Sequence, residues 1–282
     1  MFLKCFTFAS EEQEIEYLHS QHWNCYNSFY PFGVIPKTGL KDVEFEPITI
    51  FYGGNGCGKT TALNIICEKL NIKRDAIFNK SDFFDSYLSF CYCSAYEIPF
   101  DSKMLSSDGV FDNMFDTRAI NNGLDNRRHK IFEEYKDLRK ENAFRYNDMR
   151  DYEQLKHTNN ARRMTISQFT RSNMNANLRQ FSNGETAFLY FSEKIYDNTL
   201  YLLDEPENSL SPKLQLELTK IISDASRFYG CQFVISTHSP LLLSLKGARI
   251  YDLEDSAKVK HWTELESIKA YREFFVKHEN EF

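Results

Sequence analysis

The run Ile48-Thr49-Ile50-Phe51-Tyr52 is β-branched and aromatic, and it leads without a break into Gly53-Gly54-Asn55-Gly56-Cys57-Gly58-Lys59-Thr60. From Thr60 to Leu70, apolar Ala62, Leu63, Ile65, Ile66 and Leu70 then recur at helical spacing. This strand, glycine loop, helix order constrains the chain more than any other feature. Glycines let the backbone turn its N–H groups inward, and the helix N-terminus adds further donors and its dipole. The loop matches G-x-x-x-x-G-K-[ST] in full, so the amides of residues 53 to 61, Thr61 included, form a candidate phosphate cradle. Lys59 would bridge β- and γ-phosphate oxygens, and Thr60 would bind Mg²⁺. Alone, the loop specifies phosphate and not a reaction.

A second apolar run, Leu200-Tyr201-Leu202-Leu203, ends in Asp204-Glu205-Pro206. Two carboxylates at a strand end would lie at the carboxyl edge of a parallel sheet, where ligands of open α/β folds collect. Asp204 would hold Mg²⁺ directly or through water, and Glu205 would polarise an attacking water. Helices are predicted at Glu185 to Tyr196 and Pro212 to Arg227, and strands at Tyr87 to Ala95 and Gln232 to Ser236. Alternating strands and helices give an α/β fold with a mainly parallel P-loop NTPase sheet. Met1 to about Pro47, with turn residues Pro31, Gly33, Pro36 and Gly39, reads as strands of an antiparallel N-terminal flap, with Val43 to Phe45 as one of them. Thr263-x-x-Glu266 reads as a capping box opening a last helix that buries Ile268, Tyr271, Phe274 and Phe275.

With Phe181-Ser182-Asn183-Gly184-Glu185 upstream of the carboxylates and Ser236-Thr237-His238-Ser239-Pro240 downstream, the chain resembles the ABC-type ATPase superfamily over roughly residues 40 to 255. The resemblance implies ATP and Mg²⁺ as ligands and hydrolysis of ATP. It also implies a homodimer that sandwiches two nucleotides, each held by the loop of one subunit and capped by Ser182, Asn183, Gly184 and Glu185 of the other. His238 resembles the switch histidine that reads the γ-phosphate, and Glu207 to Pro212 resembles the loop that crosses the dimer axis. Catalysis would thus rest on Glu205, His238 and Lys59. Ser182 to Glu185 also fits a plain capping box.

Several positions depart from transporter-type members: Asn183 replaces a glycine, Glu185 replaces a glutamine, and no glutamine occurs between Thr61 and Glu153. Ser106-Ser107-Asp108 stands where a Mg²⁺-touching glutamine is expected. These departures resemble the soluble chromosome-maintenance, RecF-like, OLD-like and Septu-type anti-phage ATPases. A transporter motor remains the alternative, and a regulatory clamp on a toxin or nuclease a third. Tyr30 and Phe32 are the candidates for stacking on adenine.

The formal net charge is −6, yet residues 127 to 179 hold 13 Lys and Arg against 7 Asp and Glu. A basic helical insertion at about 104 to 180, within one domain spanning 1 to 282, is therefore expected. It presents either a solvated face or a contact for DNA or an acidic effector protein. Ile131, Tyr135, Leu138, Met149 and Tyr152 predict one long helix from Asn126 to Leu155, its stripe broken by Asn142 and Arg145 and packed on its own domain. No apolar stretch approaches the roughly 20 residues of a membrane span, and Met1 to Phe6 lacks the apolar core of a secretory signal. Seven cysteines without framework spacing fit reduced thiols in a cytoplasmic protein.

Overall fold

A computed structural model describes residues 1–21, 26, 28–78, 80–140, 152–174, 176 and 182–281. The chain divides into two compact units, Met1–Phe111 with Ser182–Phe282, and Asp112–Phe181. In chain order the first unit opens with β1 (Leu3–Thr7), α1 (Glu11–Ser20), α2 (Ile35–Thr38), β2 (Asp42–Glu44), β3 (Ile48–Tyr52) and α3 (Lys59–Lys69). It continues with β4 (Lys73–Arg74), α4 (Phe84–Phe90), β5 (Tyr92–Ala95) and β6 (Lys103–Ser106). Helices α5 (Ser107–Lys140), α6 (Tyr152–Arg163) and α7 (Ile166–Asn173) follow. The chain returns through α8 (Asn183–Glu193), β7 (Leu200–Asp204), α9 (Pro212–Phe228), β8 (Gln232–Thr237) and α10 (Pro240–Leu243). It finishes with β9 (Arg249–Asp252), β10 (Lys258–Lys260) and α11 (Glu266–Lys277).

The main sheet has seven strands in the order β10-β9-β3-β8-β7-β6-β4, parallel except for the antiparallel pair β9 and β10. Strands β3, β7 and β8 are buried along their whole length, as expected of parallel strands covered on both faces. Their apolar, β-branched residues therefore read as continuous runs. Register fixes the functional ends: Tyr52 pairs with Thr237, and Asp204 lies between Ser106 on one side and Ser236 on the other. A second, three-stranded antiparallel sheet has the order β2-β1-β5. The expected mixed fold with its antiparallel flap is present.

Four local expectations need correction. The stretch predicted as flap strands contains α1, whose start is fixed by a capping box between Ser10 and Gln13 and by acidic residues in its first turn. The strand predicted from Tyr87 to Ala95 is helix α4 as far as Phe90, with Tyr87 fully buried, and only then strand β5. The terminal capping box forms between His261 and Glu264 rather than Thr263 and Glu266, around a short 3-10 turn at Trp262–Glu264. On α11 only Ile268 is buried, whereas Tyr271, Phe274 and Phe275 are about half-exposed.

The second unit holds a small cluster of Ile131, Tyr135, Ala161 and Phe169, with Leu138 packed against it. Tyr135 donates its hydroxyl to the Met164 carbonyl at 3.0 Å and accepts from Arg139 at 3.0 Å. Of the predicted stripe, Ile131, Tyr135 and Leu138 are thus packed within their own unit, on a helix that begins at Ser107 rather than Asn126, while Tyr152 opens the separate helix α6. At 34 residues α5 runs about 50 Å at 1.5 Å per residue. The predicted continuation through Asn142, Arg145 and Met149 lies outside the described residues, as do Cys25 and Phe181.

Candidate functional site

Because β3 ends at Tyr52, the glycine loop starts at the carboxyl edge of the sheet and closes into α3 with Gly58 as its N-cap. Gly58 has φ +98°, and a Cβ there would come within 2.9 Å of the Thr38 methyl, so conformation and space both demand glycine. Asn55 and Gly56 are exposed at the tip of the loop, Cys57 is half-buried, and Thr60 is exposed at the start of α3. Burial pushes the Cys57 thiol up, away from thiolate chemistry. Lys59 is buried; its amine donates to the carbonyls of Gly53 at 2.7 Å and Gly54 at 2.9 Å and lies 3.4 Å from Glu205 Oε1. The Gly54 amide donates to Glu254 Oε1 at 2.8 Å.

Asp204, at the end of β7, accepts from Thr60 Oγ1 at 3.0 Å and from the Ser236 hydroxyl. Burial holds its carboxyl above the usual aspartate range, and the two hydroxyl donors act in the opposite direction. A hydroxyl, a carboxylate and the neighbouring Ser106 and Asp108 line one cleft of oxygen donors. That donor set fits Mg²⁺, which prefers a few protein oxygens together with substrate phosphate. Glu205 sits in the left-handed region, φ +46°, a conformation that costs free energy in a non-glycine residue and clusters at active sites. Its amide donates to the Ser236 carbonyl at 3.0 Å, and its Oε2 accepts from Asn208 at 3.1 Å.

His238 follows β8, and its Nδ1 lies 3.4 Å from Glu207 Oε1 and 4.0 Å from Glu205 Oε1. Lys59, Asp204, Glu205 and His238 therefore converge from the ends of three adjacent strands. Ser182 is the N-cap of α8: its hydroxyl accepts from the Glu185 amide at 3.3 Å, and Glu185 Oε2 accepts from the Ser182 amide at 3.0 Å. The capping box is real. At Gly184 a Cβ would stand 3.0 Å from the Ser209 carbonyl, so the residue also lets α8 approach the loop after Glu205. Asn183 opens the first turn of that helix.

The two aromatic candidates part company. Phe32 is buried and stacked on Tyr17 with ring centroids 4.7 Å apart, a core residue and not a platform for a base. Tyr30 donates to Thr61 Oγ1 at 3.3 Å and lines a cavity of about 920 Å³ with Thr60, Asn64, Phe78, Lys80 and Asp108. Sequence reasoning gave no role to the side chains of Ser236, Asn208, Glu207 and Glu254, which contact Asp204, Glu205, His238 and the Gly54 amide respectively. Ser236, Glu207 and Asn208 lie in runs the sequence already singled out, 236 to 240 and 207 to 212. Glu254 lies 200 positions from Gly54, and nothing local marks it.

Among the described residues no helix is long and apolar enough to cross a membrane, and the six cysteines there are free thiols. No curated protein matches the chain. A solved structure, the dimeric post-hydrolysis state of the ATP-binding cassette MJ0796 bound to ADP and Pi, is similar at 17% identity, with a TM-score of 0.35. That match covers 79% of this chain and 88% of the other. A family profile described as "AAA domain, putative AbiEii toxin, Type IV TA system" matches residues 99–244, which include Ser182, Asp204, Glu205 and His238. With more than half of its length matched, and with a phosphate loop feeding the same sheet, the chain belongs to this AAA domain family of P-loop ATPases.

Proposed function

We propose that the chain binds ATP with Mg²⁺ and hydrolyses it at an interface between two copies, and that this cycle acts on DNA or on an effector protein in genome maintenance or phage defence. The observation that carries the chemistry is the chain of contacts from Lys59 through Glu205 Oε1 to His238, 3.4 Å and 4.0 Å long, beside the Thr60 and Asp204 pair. The loop amides and Lys59 bind the β- and γ-phosphates, and Thr60 and Asp204 hold Mg²⁺. Bound there, Mg²⁺ supplies charge neutralisation on the phosphate oxygens. Glu205 orients a water and takes its proton, with Asn208 fixing the unused carboxylate oxygen. His238 reaches the γ-phosphate. The α8 N-terminus, capped by Ser182, presents its dipole to the γ-phosphate of the other copy.

Glu205→Gln removes the base while keeping the shape of the site. The variant is expected to bind ATP and Mg²⁺ without cleaving the nucleotide and to accumulate as a dimer, measured by light scattering with and without nucleotide. A variant that stays monomeric in saturating ATP and Mg²⁺ rules out the shared site.

A further inference from the structure

Glu207 is an enclosed charged side chain beside His238 that has no part in binding or cleaving nucleotide as derived above. It is 6% exposed, and a carboxylate so placed persists only where donors compensate for lost water. One oxygen collects all of them: Oε1 accepts from Thr237 Oγ1 at 2.6 Å, the His238 amide at 2.9 Å and the Ser239 amide at 3.2 Å. The His238 ring then turns its Nδ1 toward that same oxygen at 3.4 Å. The other oxygen, Oε2, is buried with no hydrogen-bond partner among the described residues.

A second strap joins the same two loops, because Ser239 Oγ donates to Gln215 Oε1 at 2.7 Å and Gln215 Nε2 donates to the Leu210 carbonyl at 3.0 Å. That strap is neutral. Holding the turn after β8 therefore needs no charge, and a neutral amide at position 207 could accept the same backbone donors. What an anion adds is directed at the imidazole. Facing Nδ1, it favours the ring form that carries the proton on Nδ1 and fixes the ring plane, as a carboxylate does for a catalytic histidine elsewhere.

We propose that Glu207 is a positioning residue that sets the orientation and tautomer of His238, so that the unprotonated Nε2, on the far side of a ring whose side chain is 49% exposed, accepts a hydrogen bond from the water that attacks the γ-phosphate. This rests on the reading of the site as an ATPase. The charged groups near the ring are Glu207 and Glu205, with Lys59 paired to Glu205 behind them. Glu205 stands farther off, at 4.0 Å, and its Oε1 already faces Lys59, so Glu207 is the dominant partner.

The test combines a mutant cycle with ring-nitrogen NMR on histidine-labelled protein, in which the His238 signals are assigned by their loss in His238→Ala. In wild type the neutral ring is expected as the Nδ1–H tautomer, and in Glu207→Gln the signals shift toward the Nε2–H form. Glu207→Gln should lower kcat at least about tenfold with KM for ATP changed less than about threefold. In a His238→Ala background the same substitution should change kcat by less than about twofold, because the two residues act as one unit. Equal losses in both backgrounds, or a wild-type ring in the Nε2–H form, overturn the proposal. If Glu207→Gln does not fold, the wild-type tautomer decides alone. A wild type without ATPase activity would sink the ATPase reading while leaving the tautomer measurement valid.

Discussion

Glu14 shows how a single buried charge acts outside the chemistry. It is 2% exposed and accepts from the Gly33 amide at 2.5 Å, in the segment that leads from Tyr30 to α2 beside the phosphate loop. Burial raises its carboxyl above the ordinary glutamate value, and the Gly33 amide pulls the other way. The folded protein then keeps a proton that the unfolded chain releases. Stability is therefore expected to fall as pH rises from the ordinary glutamate range through the folded value, and to level off above it. Glu14→Gln keeps an acceptor for Gly33 and cannot ionise. Urea midpoints between about pH 4 and 8 should fall in wild type and stay flatter in the variant; parallel curves for the two proteins contradict this. Residues of this kind were invisible in the sequence, because burial arises from a partner segment and not from spacing. Lys59, Asp204 and Glu205 were legible because phosphate and metal chemistry forces their residue types into a fixed local order. Glu207 lies in the same local run, but its role depends on a loop 30 residues away.

Elements were legible where one periodicity dominated. Strands β3, β7 and β8 are uninterrupted apolar runs, and α9 has Pro212 in its first turn and a Ser211 cap. Helix α11 was misread because its aromatic face has helical spacing yet is half-exposed, and periodicity says which residues share a face but not whether that face is covered. Helix α8 combines two roles that mutation can separate. Ser182→Ala loses the cap and should cost about 1 kcal/mol of stability. Ser182→Asp keeps a good cap, so its unfolding midpoint should stay near wild type, while its carboxylate would repel a γ-phosphate of the other copy. ATP-dependent dimerisation is expected to fail in the aspartate variant despite its stability, as read by light scattering and thermal melts together. A stable Ser182→Asp protein that still dimerises with ATP reduces Ser182 to a structural cap.

At the scale of the whole molecule the charge is divided, with an excess of +6 in residues 127 to 179 on a chain of net −6. Some of that charge is neutralised locally, since Arg128 pairs with Asp125 and Lys136 with Glu133 one turn apart on α5. Such exposed pairs contribute little to stability, and the excess of basic residues is open to two uses, a solvated face or a contact surface. If the contact is nucleic acid, binding depends on released counterions, and affinity falls steeply with salt. Reversing Arg127, Arg128, Lys130, Arg139 and Lys140 to glutamate should reduce duplex DNA affinity at least about tenfold at low salt and flatten the dependence of log affinity on log salt. Arg139 gives up its hydrogen bond to the Tyr135 hydroxyl, but the Ile131, Tyr135 and Phe169 side chains that form the core of that unit are all retained, so its helical signal should persist. Wild-type DNA binding with the same salt slope as the reversed variant assigns the affinity to another surface. Wild type that binds no DNA at any salt leaves two readings of the basic face, a solvated surface or a contact for an acidic protein.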